Sequence, residues 1–312
     1  MLKLNLPLII LNPTAGDGLA INRWSIFQQK LNQKQIKYTL KKTEYKRHAT
    51  QISSDAIKEG IDKIAVFGGD GTLNEVLQGI MGNDIIKNPN LKLIFLPGGS
   101  SCDFEKKFED PKKLIDRFLT EDYRLIDIFK VRCQNTQGDL ISRYIINNST
   151  IGVISLANEK FNSVTGFIKW IKQKSVDLSA VLCGIQAIIN FSPIKCNISI
   201  DSNKLGNIEL SNIFIFKTSH FGGNMHYGIK PIQNDGKLSV VTIKSGSKLY
   251  LLSLISDFFT GNILKRDTVE HYYCTSIKIE SDDFTIIETD GENIGTLPAK
   301  YSVIPRALKI IV

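Results

Sequence analysis

Three short segments place glycine, hydroxyl and carboxylate groups directly after apolar runs: Asn12-Pro13-Thr14-Ala15-Gly16, then Gly68-Gly69-Asp70-Gly71-Thr72-Leu73-Asn74-Glu75, then Leu96-Pro97-Gly98-Gly99-Ser100-Ser101-Cys102-Asp103-Phe104. Glycine lets backbone N–H groups come close to a phosphate, and a helix that starts straight afterwards adds the positive end of its dipole. One such segment is also what a tight strand-to-helix turn looks like. Its repetition at three equivalent places makes phosphate binding the chemistry to expect, with Thr72 and Ser100 adding hydroxyls. Asp70 among glycines would repel a bare phosphate. It makes sense if a divalent metal lies between them, because Mg²⁺ keeps waters, takes one or two carboxylates and bridges phosphate oxygens.

Familiar phosphate-binding alternatives fail on the residues. No G-x-x-x-x-G-K-[ST] loop is present, and Gly69-x-Gly71 and Gly16-x-Gly18 both lack the third glycine of the dinucleotide fingerprint. The protein-kinase catalytic loop and D-F-G are missing as well.

The elements that must hold these turns follow from the hydropathy pattern. Up to about Asp127, short apolar runs (Pro7–Leu11, Ile36–Leu40, Lys63–Phe67, Leu91–Leu96) alternate with amphipathic stretches (Leu19–Lys34, His48–Gly60, Leu73–Met81, Pro111–Thr120). Strands alternating with helices predict a parallel sheet with ligands beyond the strands' carboxyl ends, where all three turns fall. After Asp127 the texture becomes β-rich: Ile126–Cys133, Leu140–Asn147, Lys195–Ile200, Asn207–Lys217, Lys237–Ile243, Tyr272–Ile279 and Phe284–Glu288. A long helical insert at about Gly166–Asn190 and a shorter one at Lys248–Thr260 interrupt this second, mostly antiparallel domain.

Composition narrows the class. A chain of 312 residues with 42% hydrophobic and 22% charged residues is an ordinary globular sequence of two-domain size. Its 39 Lys+Arg against 31 Asp+Glu give +8, a surplus that favours polyanions. The cations are scattered (Lys41, Lys42, Lys46, Arg47; Lys106, Lys107; Lys112, Lys113; Lys169, Lys172, Lys174) without the interleaved aromatics of a base-stacking platform, so no nucleic-acid partner is expected. Five dispersed cysteines (Cys102, Cys133, Cys183, Cys196, Cys274) form neither a disulfide framework nor a zinc motif and fit a reducing compartment. The run Leu6–Leu11 stops at Asn12-Pro13 and reads as a first strand rather than a signal peptide, and the apolar stretch around Val181–Phe191 is too short to span a bilayer. Membrane contact is therefore expected to be peripheral and the location cytoplasmic.

In order and spacing, Asn12-Pro13-x-Ala15-Gly16, Gly68-Gly69-Asp70-Gly71-Thr72-x-Asn74-Glu75 and Leu96-Pro97-x-Gly99-Ser100-x-x-Asp103-Phe104 resemble the catalytic domain of the diacylglycerol kinase family, in particular its soluble bacterial lipid kinases. Sphingosine and ceramide kinases share the pattern. Gly222-Gly223, Pro231, Asp235-Gly236-x-Leu238 and Asp290-Gly291-Glu292 match the family's later blocks, so the resemblance covers nearly the whole chain.

The resemblance implies an α/β fold: an N-terminal doubly wound nucleotide-binding domain of NAD-kinase/diacylglycerol-kinase type over 1–127, to which 300–312 returns, and a C-terminal β-sandwich-like lipid-substrate domain over 128–299. It implies ATP held by Asn12, Pro13, Thr14, Ala15, Gly16, Thr43, Gly68, Gly69, Asp70, Gly71, Thr72, Leu73, Asn74 and Ser100. Asp70 and Glu292 are the implied catalytic residues, Glu292 as proton acceptor. A structural magnesium is implied at Asp235, through its carboxylate, and at the backbone carbonyls of Ile232 and Lys237, with Asp103 and Asp127 coupling that ion to the active site. The implied reaction is ATP- and Mg-dependent phosphorylation of a lipid hydroxyl, foremost diacylglycerol to phosphatidic acid. The expected partner is a lipid at a membrane surface, and a homodimer is an open expectation.

Read without the resemblance, Asp290-Gly291 and Asp235-Gly236 are also ordinary hairpin turn signals. The third block departs from the family's Gly-Thr-x-Asn-Asp-Phe: Ser100 keeps the hydroxyl, but Cys102 is a far weaker hydrogen-bond partner than an amide, which leaves substrate choice open. Two readings compete: an NAD-kinase-like or sphingoid-type kinase, since Gly-Gly-Asp-Gly-Thr is shared across that superfamily, and a nucleotide- or lipid-binding module whose catalysis has decayed.

Overall fold

A computed structural model describes residues 6–163, 165, 170, 171 and 174–312. The chain divides into two compact units, 1–127 with 306–312, and 128–305.

In the first unit, β1 (Leu8–Leu11), α1 (Leu19–Gln33), β2 (Thr39–Lys42), α2 (His48–Lys58), β3 (Lys63–Gly68) and α3 (Asp70–Ile80) follow one another as βα repeats. A two-stranded ribbon, β4 (Met81–Gly82) with β5 (Ile85–Ile86), leads into β6 (Lys92–Pro97). The strands pair in parallel in the order β2-β1-β3-β6, and residues Lys309–Ile311 add a fifth parallel partner beside β6. The returning segment thus begins at 306 rather than 300, because Ala299–Ser302 are paired inside the second unit. β1 and β6 are almost wholly buried, as strands covered by helices on both faces must be. One side is packed by Trp24, Phe27 and Leu31 of α1 against Phe67.

The stretch expected to be helical over Pro111–Thr120 is helical only at α4 (Asp116–Leu119). The carbonyl of Lys112, which a helix would pair with the amide of residue 116, accepts Nε of Arg117 at 3.0 Å, and the amide of Asp116 turns to Lys113 at 2.9 Å. Arg117 is almost fully buried, and its guanidinium also reaches the Phe95 carbonyl and the Glu105 carboxylate, so satisfying it outweighs a longer helix. α3, conversely, starts at Asp70 rather than Leu73, so the glycine turn itself forms the first helical turn.

The second unit takes in β7 (Arg124–Gln134) from Ile128 on, then β8 (Leu140–Ile145), β9 (Asn148–Gly152), α5 (Val153–Asn162), α6 (Val176–Asn190), β10 (Ile194–Ile200), β11 (Asn203–Phe216), β12 (His220–Phe221), β13 (Met225–His226) and β14 (Leu238–Lys244). After α7 (Lys248–Thr260) come β15 (Val269–Cys274), β16 (Ser276–Glu280), β17 (Ile286–Thr289) and β18 (Glu292–Ile311). Residues 164, 166–169, 172 and 173 of the predicted insert, and with them Lys169 and Lys172, lie outside the described residues, as does 1–5.

Two long strands change partners midway. β11 pairs with β10 up to Leu210, then, past a bulge before Asn212, lies between β9 and β14; β18 pairs with β17 over 292–296 and with β16 over 299–302. Strands that switch sheets at a bulge are how β-sandwich corners are made. The predicted strand Tyr272–Ile279 is broken at Thr275 because the Asp201 carboxylate accepts the amides of Thr275 and Ser276 at 3.0 and 2.8 Å.

All five cysteines are buried thiols. Burial pushes Cys102, Cys196 and Cys274 up to about 12 and Cys133 to about 11, with the Asp70 charge adding to the effect at Cys102. The thiolate is the reactive form. Native protein at pH 8 is therefore expected to resist N-ethylmaleimide, while the urea-unfolded chain takes up five equivalents; intact-mass spectrometry reads both, and rapid native labelling would contradict this packing.

Candidate active site

The three glycine turns lie together in the first unit. The amides of Gly98 and Gly99 both donate to the carbonyl of Gly68, at 2.8 and 3.2 Å, which joins the third turn to the second. Nδ2 of Asn12 donates to Oγ1 of Thr72 at 2.9 Å, joining the first turn to the second, while Oδ1 of Asn12 accepts the amide and hydroxyl of Thr14. The backbones are packed closer than side chains allow. A Cβ on Gly99 would stand 2.7 Å from Cα of Gly69, and one on Gly16, whose φ is +64°, would stand 3.2 Å from the Gly99 carbonyl carbon. Ala15 and Pro13 complete the first turn, and the amide of Thr43, at the end of β2, donates to the Leu11 carbonyl at 2.9 Å beside it.

Both oxygens of Asp70 are engaged: they accept the amides of Asp103 and Phe104, each at 2.9 Å. Asp70 thus fixes the path of the third turn through Ser100, Ser101 and Cys102, where Cys102 adopts a φ of +49°. Asparagine takes that left-handed conformation far more readily than cysteine, which gives the family's usual residue at this position a backbone rationale. Asp70, Gly71 and Thr72 form the first turn of α3, and the start of a helix is a place suited to anions. Leu73 and Asn74 behind them are buried. Glu75 points elsewhere: its carboxylate accepts the amides of Arg47 and Ala49 and caps α2. Arg23, which the sequence did not single out, donates Nη1 to the Gly99 carbonyl at 2.9 Å.

Asp103 pairs with Lys106 at 2.8 Å, and buried Asp127 accepts the amide of Arg306 at 2.8 Å. Both are anchors within the first unit.

In the second unit, Asp290 and Gly291 form a two-residue hairpin turn between β17 and β18, with φ of +45° and +91°. Both central residues being left-handed is the type I′ pattern favoured in hairpins. The turn reading and the motif reading therefore describe the same residues. The Asp290 carboxylate accepts the amides of Ile146, Asn147 and Asn148 at 2.9 to 3.0 Å, locking the β8–β9 connection to the hairpin. Glu292, the first residue of β18, forms an ion pair with Nη2 of Arg143 at 2.8 Å, and both side chains are mostly shielded from solvent. Arg143 lies 149 positions away and nothing in its neighbourhood marked it. Its Nε is buried with no hydrogen-bond partner. A second carboxylate, Glu288, also went unnoticed. It accepts the Gly291 amide, and burial pushes it up to about 8, against the effect of that hydrogen bond.

The oxygens expected to hold a structural magnesium do come together: Asp235 Oδ1 and the carbonyls of Ile232 and Lys237. What they surround is Nζ of Lys217, so the residues present do not fit a metal ion there.

Residues 7–131 match the diacylglycerol kinase catalytic domain, and residues 151–312 match the YegS C-terminal NAD kinase beta sandwich-like domain. A Streptococcus pneumoniae protein named "Putative lipid kinase" is 28% identical over 97% of this chain and 96% of its own length. A Bacillus subtilis protein named "Diacylglycerol kinase" is 24% identical over 97% of this chain and 95% of its own. A crystal structure from Bacillus anthracis str. Sterne, titled as a putative diacylglycerol kinase, superposes with a TM-score of 0.76 at 21% identity, covering 100% of this chain and 98% of the other, which establishes the fold. The chain belongs to the diacylglycerol kinase family of lipid kinases, carrying its catalytic domain followed by the YegS-type β-sandwich-like domain.

The environment of Glu288 carries a pH signature. Between its ordinary value of 4.5 and about 8 the folded protein keeps a proton that the unfolded chain has released, so this residue's contribution to stability falls as pH rises through that window. Glu288→Gln is expected to flatten the decline in Tm from pH 5 to pH 8 and to raise Tm at pH 8 by about 5 °C. Calorimetry across that range checks it, and an unchanged slope would place the titrating group elsewhere.

Proposed function

We propose that this protein transfers the γ-phosphoryl group of MgATP to the hydroxyl of a membrane lipid, with diacylglycerol as acceptor and phosphatidic acid as product. The observation that carries this reading is the convergence of the three glycine turns, braced by Asp70, on the N-terminus of α3. Phosphoryl transfer is mostly a matter of positioning and charge neutralisation, and backbone amides gathered at a helix start can supply both. Asn12 to Gly16, Thr43, Gly68 to Asn74 and Ser100 are the residues we assign to the nucleotide. Mg²⁺, arriving with the nucleotide, would neutralise charge developing on the phosphate oxygens. Asp70 is the carboxylate nearest to that role. Its two oxygens each accept one backbone amide, so it contributes mainly by shaping the third turn.

Glu292 takes the proton of the lipid hydroxyl as its oxygen bonds to the γ-phosphorus, the bond to the β–γ bridging oxygen breaks, and ADP leaves. Arg143 fixes the orientation of that carboxylate, and its Nε remains to hold an oxygen of the acceptor. No described helix is long and apolar enough to cross a membrane. The lipid is therefore reached by peripheral contact, for which exposed Leu178, Ile189 and Leu249 on α6 and α7 are suited.

Incubation with radiolabelled ATP and vesicles containing diacylglycerol, with NAD offered in parallel, tests the reading. Labelled phosphatidic acid is expected; labelled NADP or no product would replace it with one of the two competing readings. Glu292→Gln is expected to lower turnover at least 100-fold with an unchanged melting curve, since a positioned general base contributes about 10²–10⁴. Asp70→Asn is expected to lose turnover too, together with a few degrees of Tm, because an amide cannot accept both backbone N–H groups. Gly71→Ala separates folding from binding. Its Cβ would meet nothing within 4 Å, so Tm is expected to hold while nucleotide affinity, measured by calorimetry, drops about tenfold. Undiminished affinity would remove the start of α3 from the phosphate site.

A further inference from the structure

We infer that Lys217 is a built-in cation that replaces a divalent metal at the 232–237 turn, so that this chain has no structural metal there. Lys217 follows β11, its backbone amide donates to the Asn147 carbonyl at 2.8 Å, and its side chain is fully buried. The ammonium donates to the Ile232 carbonyl at 2.5 Å, to Asp235 Oδ1 at 2.9 Å and to the Lys237 carbonyl at 2.9 Å. An ammonium carries three N–H groups and no acceptor, and these three oxygens are among those that receive them.

Geometry and charge both favour this reading over a metal. Mg²⁺ demands near-octahedral coordination at about 2.0–2.1 Å, and Ca²⁺ takes six to eight oxygens at about 2.3–2.6 Å. A lysine nitrogen already occupies the centre of these oxygens at hydrogen-bonding distance, as an ammonium does. One carboxylate faces one monovalent cation, so the pair is neutral, whereas a divalent ion with Asp235 alone would leave a net positive charge. A divalent ion added beside Lys217 would meet a buried like charge within contact distance. The same Asp235 oxygen also accepts the Lys237 amide at 3.0 Å, which closes the turn on itself. Gly236, at a φ of +69°, permits the bend. The exposed turn before β14 is thereby tied to the end of β11 by a covalently attached cation that cannot dissociate. The inference is independent of which acceptor the enzyme phosphorylates, and any requirement for Mg²⁺ in catalysis would then reflect the nucleotide alone.

The test uses nucleotide-free protein and Mg²⁺ or Mn²⁺ as probe. Desalted wild-type protein is expected to contain no stoichiometric divalent metal by inductively coupled plasma mass spectrometry, and its Tm is expected to be unmoved by 10 mM MgCl₂ or by EDTA. One tightly held ion per chain, or a rise in Tm with Mg²⁺ that Asp235→Asn abolishes, would overturn the inference. These measurements need no variant of Lys217 to fold. Lys217→Ala, which removes a fully buried cation from the oxygens of the 232–237 turn, is expected to lower Tm by about 5 °C or more. Millimolar Mg²⁺ or Mn²⁺ is expected to restore part of that loss, with one Mn²⁺ bound per chain by electron paramagnetic resonance, and Lys217→Ala/Asp235→Asn to lose the rescue. An unchanged Tm in Lys217→Ala would also overturn it, since the lysine would then hold nothing.

Discussion

The two hydrogen bonds from the amides of Asp103 and Phe104 to Asp70 are the constraint on which the rest of the candidate nucleotide site depends. Three backbone turns meet closely enough that side chains are excluded between them, and such a meeting is costly unless something fixes each turn's path. Glycine supplies the closeness but, being the most flexible residue, none of the rigidity. Asp70 supplies the rigidity. It sits on the first turn of α3 and reaches across to the third turn, so strand β3, helix α3 and the segment after β6 are held in one register. A charged acceptor on backbone amides is among the stronger hydrogen-bond arrangements, about twice a neutral pair, and here it is largely shielded from water.

The same device recurs. Asp290 collects three amides, Asp201 two, Asp127 one, and Glu75 two at the start of α2. In each case an acidic side chain satisfies backbone donors, mostly at turns, strand breaks or a helix start, and where such a donor is buried, leaving it orphaned would cost about 1–3 kcal/mol. Several acids that family resemblance would mark as chemical are thus first of all organisers of backbone. Glu292 differs in kind: its carboxylate pairs with the side chain of Arg143 at the start of a strand.

The alternation of apolar runs and glycine turns in the first half made its βα order legible, because strand, turn and helix are each local patterns. The extra turn of α3 was not, since the glycines that argue for a loop are tolerated at a helix start. The failure of helix at Pro111–Lys113 was hidden for another reason: it follows from the burial of Arg117, which only tertiary packing decides. In the second half, period-two alternation located most strands but could not show that β11 and β18 change partners along their length, for a partner change leaves no mark on alternation. α5, over Val153–Asn162, is short, opens on an apolar run that continues strand β9, and so hid between strands. Of the candidate sites, the glycine motifs were readable in one dimension. Arg143 and Lys217 were not, because a lone cation in a β-strand region acquires meaning only from the carboxylate that folding brings to it, 149 positions away in one case and 18 in the other.

The hairpin around Asp290 shows how environment can divide labour between like residues. Glu288 and Glu292 flank the same two-residue turn, one ending β17 and the other opening β18. Glu288 is buried and by that burial is pushed up to about 8, so at neutral pH it mostly holds its proton and is a poor acceptor for another. Glu292 is paired with Arg143 and retains some exposure, the setting of a carboxylate that is charged and can meet a substrate. Pairs of acids with divergent surroundings are the usual way a protein separates a structural or proton-holding carboxyl from a reactive carboxylate. Under the proposed kinase reading, the hairpin's physics favours 292 over 288 for the base, a ground separate from the motif that first drew attention to it.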